Sequence, residues 1–284
     1  MGEYVIIVVT GANGQLGKRL VNQLKQKHTV VGLGKEELNV TNKDEIDYQL
    51  AAIKPELIIH AAAYTAVDLC EVNRVLAFDV NSLGAGYVAQ AAQSIGARMI
   101  YISSDYVFDG YKGVPYVEED IPRPLSIYGL SKKLGEQLTM MSGNFMVVRT
   151  SWLYGHGGKN FVTTMLRLAR AQQPISVVHD QFGSPTYIND LVDAIEYMLA
   201  APCGVYHVTN SGSCSWYEFA EHIWREAGYN PEMITPISTS EYGAKAVRPA
   251  YSVLATSKLV QTGLSELRQW DQALTDFVRK EQSL

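Results

Sequence analysis

Tyr128 and Lys132 stand four residues apart in the run Tyr128-Gly129-Leu130-Ser131-Lys132. On a helix such residues share a face, so a phenol and an amine can point the same way. A lysine ammonium near a tyrosine hydroxyl favours the phenolate and draws its pKa down from about 10 toward neutral pH. A general acid/base for carbonyl reduction needs that tuning. About 110 residues earlier lies a second constellation, Gly11-Ala12-Asn13-Gly14-Gln15-Leu16-Gly17, with an apolar run before it. Glycines let the backbone turn sharply and let a pyrophosphate approach, and a helix that starts there offers unpaired N–H groups and a positive dipole end. A third group, Ser103-Ser104-Asp105, closes another apolar run. Open parallel sheets bind ligands beyond the carboxyl ends of their strands, which places Ser104 where it can hydrogen-bond a substrate oxygen. Ser104, Tyr128 and Lys132 then form one catalytic set. Hydride reaches a carbonyl carbon from a dihydronicotinamide and Tyr128 delivers a proton to its oxygen. Lys132 stabilises the phenolate and bonds the nicotinamide ribose, while Ser104 steadies the developing oxyanion. This chemistry needs no metal.

These groups must be positioned by regular elements. Short apolar runs at 4–10, 29–33, 57–60, 99–103 and 145–150 alternate with helical patterns near 15–25, 43–53, 75–95 and 128–141. That alternation predicts βαβ units and a parallel sheet covered on both faces. Thr41-Asn42-Lys43-Asp44 has capping-box spacing for the second helix. After Thr150 the pattern loosens into a helix near 161–171, a strand at 175–178, a helix near 188–199 and a strand at 205–208. Ser215-Trp216-Tyr217-Glu218 then opens a capped helix. The predicted fold is α/β: a Rossmann-type doubly wound parallel sheet with a smaller α/β C-terminal substrate domain. The expected division is 1–150 for dinucleotide binding, with return segments from about 161–201, and 151–284 mainly for substrate.

A chain of 284 residues, 47% hydrophobic and 19% charged, has the composition of an ordinary water-soluble globular protein. A formal net charge of −5 argues against a broad nucleic-acid or anionic-membrane surface. No apolar stretch approaches the ~20 residues of a membrane span, and the apolar start lacks the basic leader of a signal peptide. Cys70, Cys203 and Cys214 form no CxxC pair and no metal-type cluster, which suits a reducing cytoplasm with each thiol buried or half-buried. His60, His179 and His207 sit in or beside strands without ligand spacing and read as structural.

The glycine spacing, wider than the GxGxxG fingerprint, resembles that of the short-chain dehydrogenase/reductase superfamily. Where that fingerprint ends its second strand on an acid for the ribose 2′-OH, this chain has Gly32-Leu33-Gly34-Lys35. Lys35 can meet a 2′-phosphate, so NADPH is the expected cofactor, with NADH as the alternative because Glu36 and Glu37 lie close. Asn39-Val40 suits the edge and face of an adenine. In Ala61-Ala62-Ala63-Tyr64-Thr65 small residues let the chain pass close to a flat ligand.

More narrowly, the chain resembles the dTDP-4-dehydrorhamnose reductase family along nearly all its length. The matching blocks run Thr10 to Gly17, Ala63 to Asp68, Ser103 to Gly110, Pro124 to Gly129, Arg149 to Tyr154, Asp180 to Thr186, and Arg248-Pro249. The resemblance implies NAD(P)H-dependent reduction of the 4-keto group of dTDP-4-dehydro-β-L-rhamnose to dTDP-L-rhamnose, in the cytoplasm. It also implies that Gly14, Gln15, Leu16, Asn39, Val40, Ala63, Tyr64, Thr65, Tyr128 and Lys132 line the cofactor, with Gly11, Asn13 and Gly17 in the same turn. By the same resemblance Ser104, Asp105 and Trp152 contact the sugar nucleotide. Trp152 is an amphipathic wall suited to a deoxysugar. Arg248, in a loop, can meet a diphosphate through its fork; a surface salt bridge is its alternative.

Two departures stand out. The family commonly reads Val-Asp-Lys-Ala-Glu where this chain has Val67-Asp68-Leu69-Cys70-Glu71. Some relatives are dimers bridged by magnesium through glutamates, and Arg19 and Asn189 occupy the aligned positions here. Neither is a hard carboxylate ligand, so no tightly bound Mg2+ is expected, and the state is monomer or homodimer. The rival readings are a reductase or epimerase of another nucleotide-linked sugar, and a non-catalytic dinucleotide-binding subunit such as the β subunit of methionine adenosyltransferase.

Overall fold

The computed structural model describes residues 5–283; Tyr4, the expected start of the first strand, and residue 284 lie outside them. Six parallel strands form the central sheet: β1 (Ile6–Thr10), β2 (Thr29–Leu33), β3 (Leu57–His60), β4 (Arg98–Ser104), β5 (Phe145–Thr150) and β6 (Gly204–His207). Their spatial order is β6-β5-β4-β3-β1-β2. The order reverses between β1 and β3, and a crevice opens there at the strands' carboxyl ends. β2, least apolar of the five N-terminal runs, is an edge strand and half exposed.

Helices cover both faces. One face packs α1 (Gln15–Leu24) and, after α2 (Lys43–Ile53), α3 (Gly84–Ser94), α4 (Ile127–Met140) and α5 (Phe161–Arg170), the helix α6 (Ile188–Tyr197). Leu16, Leu20, Leu24, Leu191 and Ile195 meet Ile7, Ile59, Ile100 and Val148 there. On the other face Ile46 and Leu50 of α2 and Val88, Ala89 and Ala92 of α3 meet Val8, Ile58 and Met99. The small residues of α3 let it lie close to α2 and the sheet.

A second apolar core gathers residues from 154 onward. Met165 and Leu166 of α5 pack with Phe219, Ile223 and Trp224 of α7 (Trp216–Glu226) and with Leu274, Phe277 and Val278 of α8 (Trp270–Gln282). Three two-stranded ribbons flank it, among them Ile175–Val178 beside Ile234–Ile237. Ser215 caps α7 reciprocally with Glu218, as its spacing predicts.

Three local expectations are corrected. The cap of α2 is Asn42, whose side chain accepts from Glu45 N–H; Thr41 donates its hydroxyl to Asn39 instead, at 2.9 Å. The helix expected over 75–95 contains a π-turn at Asp79–Leu83 between Arg74–Phe78 and α3. Cys203 is exposed, while Cys70 and Cys214 are buried, and all three are free thiols. Among the described residues no helix is long and apolar enough to cross a membrane.

Candidate active site

The glycine turn is built for close approach. Gly11 has φ +67°, and a Cβ there would stand 2.6 Å from the backbone nitrogen of Ala62, so only glycine fits against the end of β3. Gly14 N–H donates to Gly11 C=O at 2.9 Å. Gly14 is also the N-cap of α1, with no side-chain cap, so the first N–H groups of that helix remain available to an anion. A cavity of about 540 Å³ is lined by Gly11, Gly14, Gln15, Leu16 and Gly17. A smaller one of about 260 Å³ is lined by Asn13, Lys35, Asn39 and Val40, and the two share Gly11, Gly14, Ala61 and Ala63. Both cavities therefore meet the glycine turn and the end of β3, beside the switch point. Glu37 folds back to accept from Gly34 N–H at 2.9 Å, so Lys35 is the charged group of that turn that faces the groove.

Ala63 and Thr65 line the larger cavity and Tyr64 lines neither. The resemblance put Tyr64 against the cofactor; its hydroxyl instead accepts from Asn73 at 3.2 Å. The backbone of Tyr64 is held by a residue that the sequence did not single out. Asn81, fully buried in the π-turn, accepts from Tyr64 N–H at 2.8 Å and donates to Tyr64 C=O and to Ser131 Oγ, each at 3.0 Å. An amide amid the apolar pattern of a helix was the available signal.

Ser104, Asp105, Tyr128, Lys132 and Trp152 all line the larger cavity. Ser104 Oγ donates to Asp105 Oδ1 at 2.9 Å, and Asp105 Oδ2 accepts from Ser252 Oγ at 2.6 Å. Burial pushes the Asp105 carboxyl up to about 6, against the pull of those hydroxyls. Tyr128 shares the cavity with Lys132, yet its phenol is raised rather than lowered. Burial is the larger cause, opposed by the Ser104 hydroxyl. Lys132 Nζ donates to Ile102 C=O at 2.7 Å and lies 4.1 Å from the Tyr101 ring centre. Burial brings Lys132 itself down to about 7, with Glu136 opposing.

Behind these groups runs a buried network. Arg149 clamps Glu136 through two bonds of 2.9 and 2.8 Å, and Ser103 Oγ donates to the same carboxylate at 2.5 Å. Arg149 also lies 3.3 Å from His207 Nε2. His60 pairs with Thr10 at 2.9 Å and stacks on Tyr101. Burial lowers both His60 and His207 to about 3, so both are neutral framework groups.

Trp152 sits at φ +48°, stacked on Trp216 at 3.4 Å between centroids with the planes 7° apart. A Cβ on Gly183 would come within 2.5 Å of the Trp152 ring, so the indole is gripped from two sides. Trp216 and Lys159 also line the cavity and were not foreseen. Arg248 does not line it. Its fork meets Asp68 at 3.1 and 2.9 Å, and that pairing holds the Asp68 carboxyl below its usual range. In this structure the guanidinium is thus paired with a carboxylate. Among the described residues no group of three or more His, Cys, Asp or Glu is placed to hold a metal ion. Asn189 donates to the Tyr187 hydroxyl at 2.7 Å.

A doubly wound sheet, a glycine turn at its switch point and a Ser/Tyr/Lys set at the neighbouring strand end define a short-chain dehydrogenase/reductase-like protein. The model of the family described as RmlD substrate binding domain matches residues 5–283, and the chain belongs to that family. It is 43% identical over 279 residues to the spore coat polysaccharide biosynthesis protein SpsK of Bacillus subtilis, covering 98% of each chain. It is 40% identical over 286 residues to the dTDP-4-dehydrorhamnose reductase of Aggregatibacter actinomycetemcomitans, covering 95% of this chain and 97% of that protein. The crystal structure of dTDP-4-dehydrorhamnose reductase from Bacillus anthracis in complex with NADP superposes with a TM-score of 0.94 at 43% identity, covering 98% of this chain and all of that one.

Proposed function

We propose that the chain reduces the 4-keto group of dTDP-4-dehydro-β-L-rhamnose to yield dTDP-L-rhamnose. NADPH, or NADH in its place, would supply the hydride when bound along Gly11, Asn13, Gly14, Gln15, Leu16, Gly17, Asn39, Val40, Ala63 and Thr65. The observation that carries this reading is the shared cavity: Ser104, Tyr128 and Lys132 line the same space as the glycine turn. In its mechanism the Tyr128 hydroxyl gives its proton to the sugar oxygen. Burial holds that phenol protonated across neutral pH, which suits a donor in the reducing direction. Ser104 Oγ, now on Asp105, turns to the oxygen as negative charge grows there. Lys132 lines the same cavity as Tyr128, with its amine brought down to about 7 by burial; in its charged form it would compensate the phenolate. Trp152 and Asp105 form the sugar wall. Lys35 favours a 2′-phosphate, and so NADPH.

Within this reading residues 1–150, with return segments from about 161–201, hold the dinucleotide, and the rest of 151–284 mainly holds the sugar nucleotide, in a cytoplasmic protein. The test is turnover: purified protein, NADPH and dTDP-4-dehydro-β-L-rhamnose, followed by loss of NADPH absorbance. Oxidation with another dTDP-keto sugar and none with this one would move the assignment to that sugar. Silence with every keto sugar, together with tight capture of a methionine-pathway enzyme, would replace it with the non-catalytic reading.

A further inference from the structure

Lys132, Glu136 and Arg149 are each no more than 2% exposed, so three ionisable side chains are held away from water beside the candidate site. Tyr128, Lys132 and Glu136 follow one another at intervals of four along α4 and share one face of it. The Lys132 amine is nevertheless not bonded to a carboxylate: its Nζ donates to Ile102 C=O, a neutral acceptor, at 2.7 Å. The carboxylate one turn further on is already taken. Arg149 reaches both Glu136 oxygens, at 2.9 and 2.8 Å, and Ser103 Oγ donates to Oε1 at 2.5 Å. Ser103 and Arg149 are in register on β4 and β5, so the sheet itself delivers hydroxyl and guanidinium to the same acid.

The charges around the amine do not balance. Two basic groups share one acid, and the other groups packed around them add no counter-charge. His60 from β3 and His207 from β6 are neutral. Tyr101 from β4 lies under the amine with its phenol raised by burial. Asn81 and Ser82 of the π-turn face α4 and are uncharged. Asp105 bears on Tyr128 and bonds Ser104 and Ser252, while Glu118 accepts from the His207 N–H. A buried ammonium is costly without an acid of its own. We propose that Arg149, by occupying the Glu136 carboxylate, controls the charge that Lys132 carries, and is a positioning residue that acts on the site through Glu136. With the clamp closed, the guanidinium offsets much of the pull of Glu136 on the amine, and Lys132 holds its proton weakly. The opposition of Glu136 to burial at Lys132 accords with this. The proposal rests on the reductase reading for the use made of Lys132, whereas the coupling of charges is measurable without turnover.

The test follows the lysine 13Cε resonances of uniformly labelled protein by NMR across pH, with Lys132 assigned by its loss in Lys132→Arg. An ordinary lysine titrates at about 10.4, so Lys132 should stand apart well below that. Arg149→Met releases Glu136 and should raise the Lys132 midpoint by about one to three pH units, whereas Glu136→Gln should lower it by about one or more. If Glu136→Gln does not fold, Glu136→Met with Arg149→Met removes both charges and takes its place; its midpoint should lie about one unit or more below that of Arg149→Met. The alkaline limb of the kcat profile should move with the midpoint in each variant. Damaged packing alone would not drive the two single variants in opposite directions. Midpoints that stay put or move the same way overturn the proposal, as does a parent Lys132 that titrates like a surface lysine. The expected shifts in a protein that turns over no keto sugar would remove the reductase reading and leave the charge coupling standing.

Discussion

Asp105 offers a direct test of the site's electrostatics. Its carboxyl is 2% exposed and holds only the hydroxyls of Ser104 and Ser252 among side-chain donors, and burial lifts it from 3.8 to about 6. An acid whose pKa is raised on folding binds its proton more tightly in the folded state. Stability is then greatest below the unfolded pKa and falls as pH rises to the folded one, above which the whole penalty applies. At about 1.36 kcal/mol per pH unit, the displacement is worth about 3 kcal/mol. Asp105→Asn removes the charge and keeps the shape, since an amide can accept from one hydroxyl and donate to the other. Urea unfolding followed by near-UV circular dichroism should find the Asn variant more stable by about 3 kcal/mol near pH 7.5, about 1.5 near pH 5 and under about 1 near pH 4. An Asn variant less stable at neutral pH, or a difference flat across that range, would refute the claim that an uncompensated buried carboxylate sits at the end of β4. A destabilised charge here is what a functional site keeps at the expense of the fold.

Other perturbations probe other links. Tyr128→Phe should lower kcat by about 10²–10⁴ while the dissociation constant for NADPH, measured by fluorescence, stays within about twofold; full turnover in this variant would remove Tyr128 as proton donor. Glu136→Gln leaves the Arg149 guanidinium, 3% exposed, without its counter-ion and should cost about 3–5 kcal/mol in denaturant unfolding. The double replacement Glu136→Met with Arg149→Met should cost less than either single change, and simple additivity would contradict the pairing. Trp216→Leu breaks the stack on Trp152. It should abolish an exciton couplet in far-UV circular dichroism and raise KM for the sugar nucleotide more than it lowers kcat, whereas an intact couplet would show that the rings do not stack in solution.

The fold was legible because its signals are local. Apolar runs of four to seven residues mark strands wherever both faces are covered, and Gly11 announces its turn because no other residue tolerates that backbone beside Ala62. The Ser/Tyr/Lys set was legible for the same reason: helical spacing puts Tyr128 and Lys132 on one face, and a strand end presents Ser104. What the sequence hid is long-range or energetic. The fork of Arg248 finds Asp68 across 180 residues, and nothing near either residue announces the partner. Trp216 reads as a capped helix start until the fold lays it on Trp152. The direction of the Tyr128 pKa was misread because spacing reports which groups are near, while burial decides which protonation state is favoured.

The π-turn at Asp79–Leu83 gives its helix one residue more than regular winding would use. Each residue of an α-helix advances about 100° around the axis, so the stretch before the turn is out of phase with the stretch after it. Deleting a single residue between 79 and 83 would restore ordinary winding, swing the preceding stretch by about a quarter turn and pull the Asn81 amide off the Tyr64 backbone. In a homologous chain, a one-residue gap at this point therefore marks a groove whose third-strand loop is held by some other group.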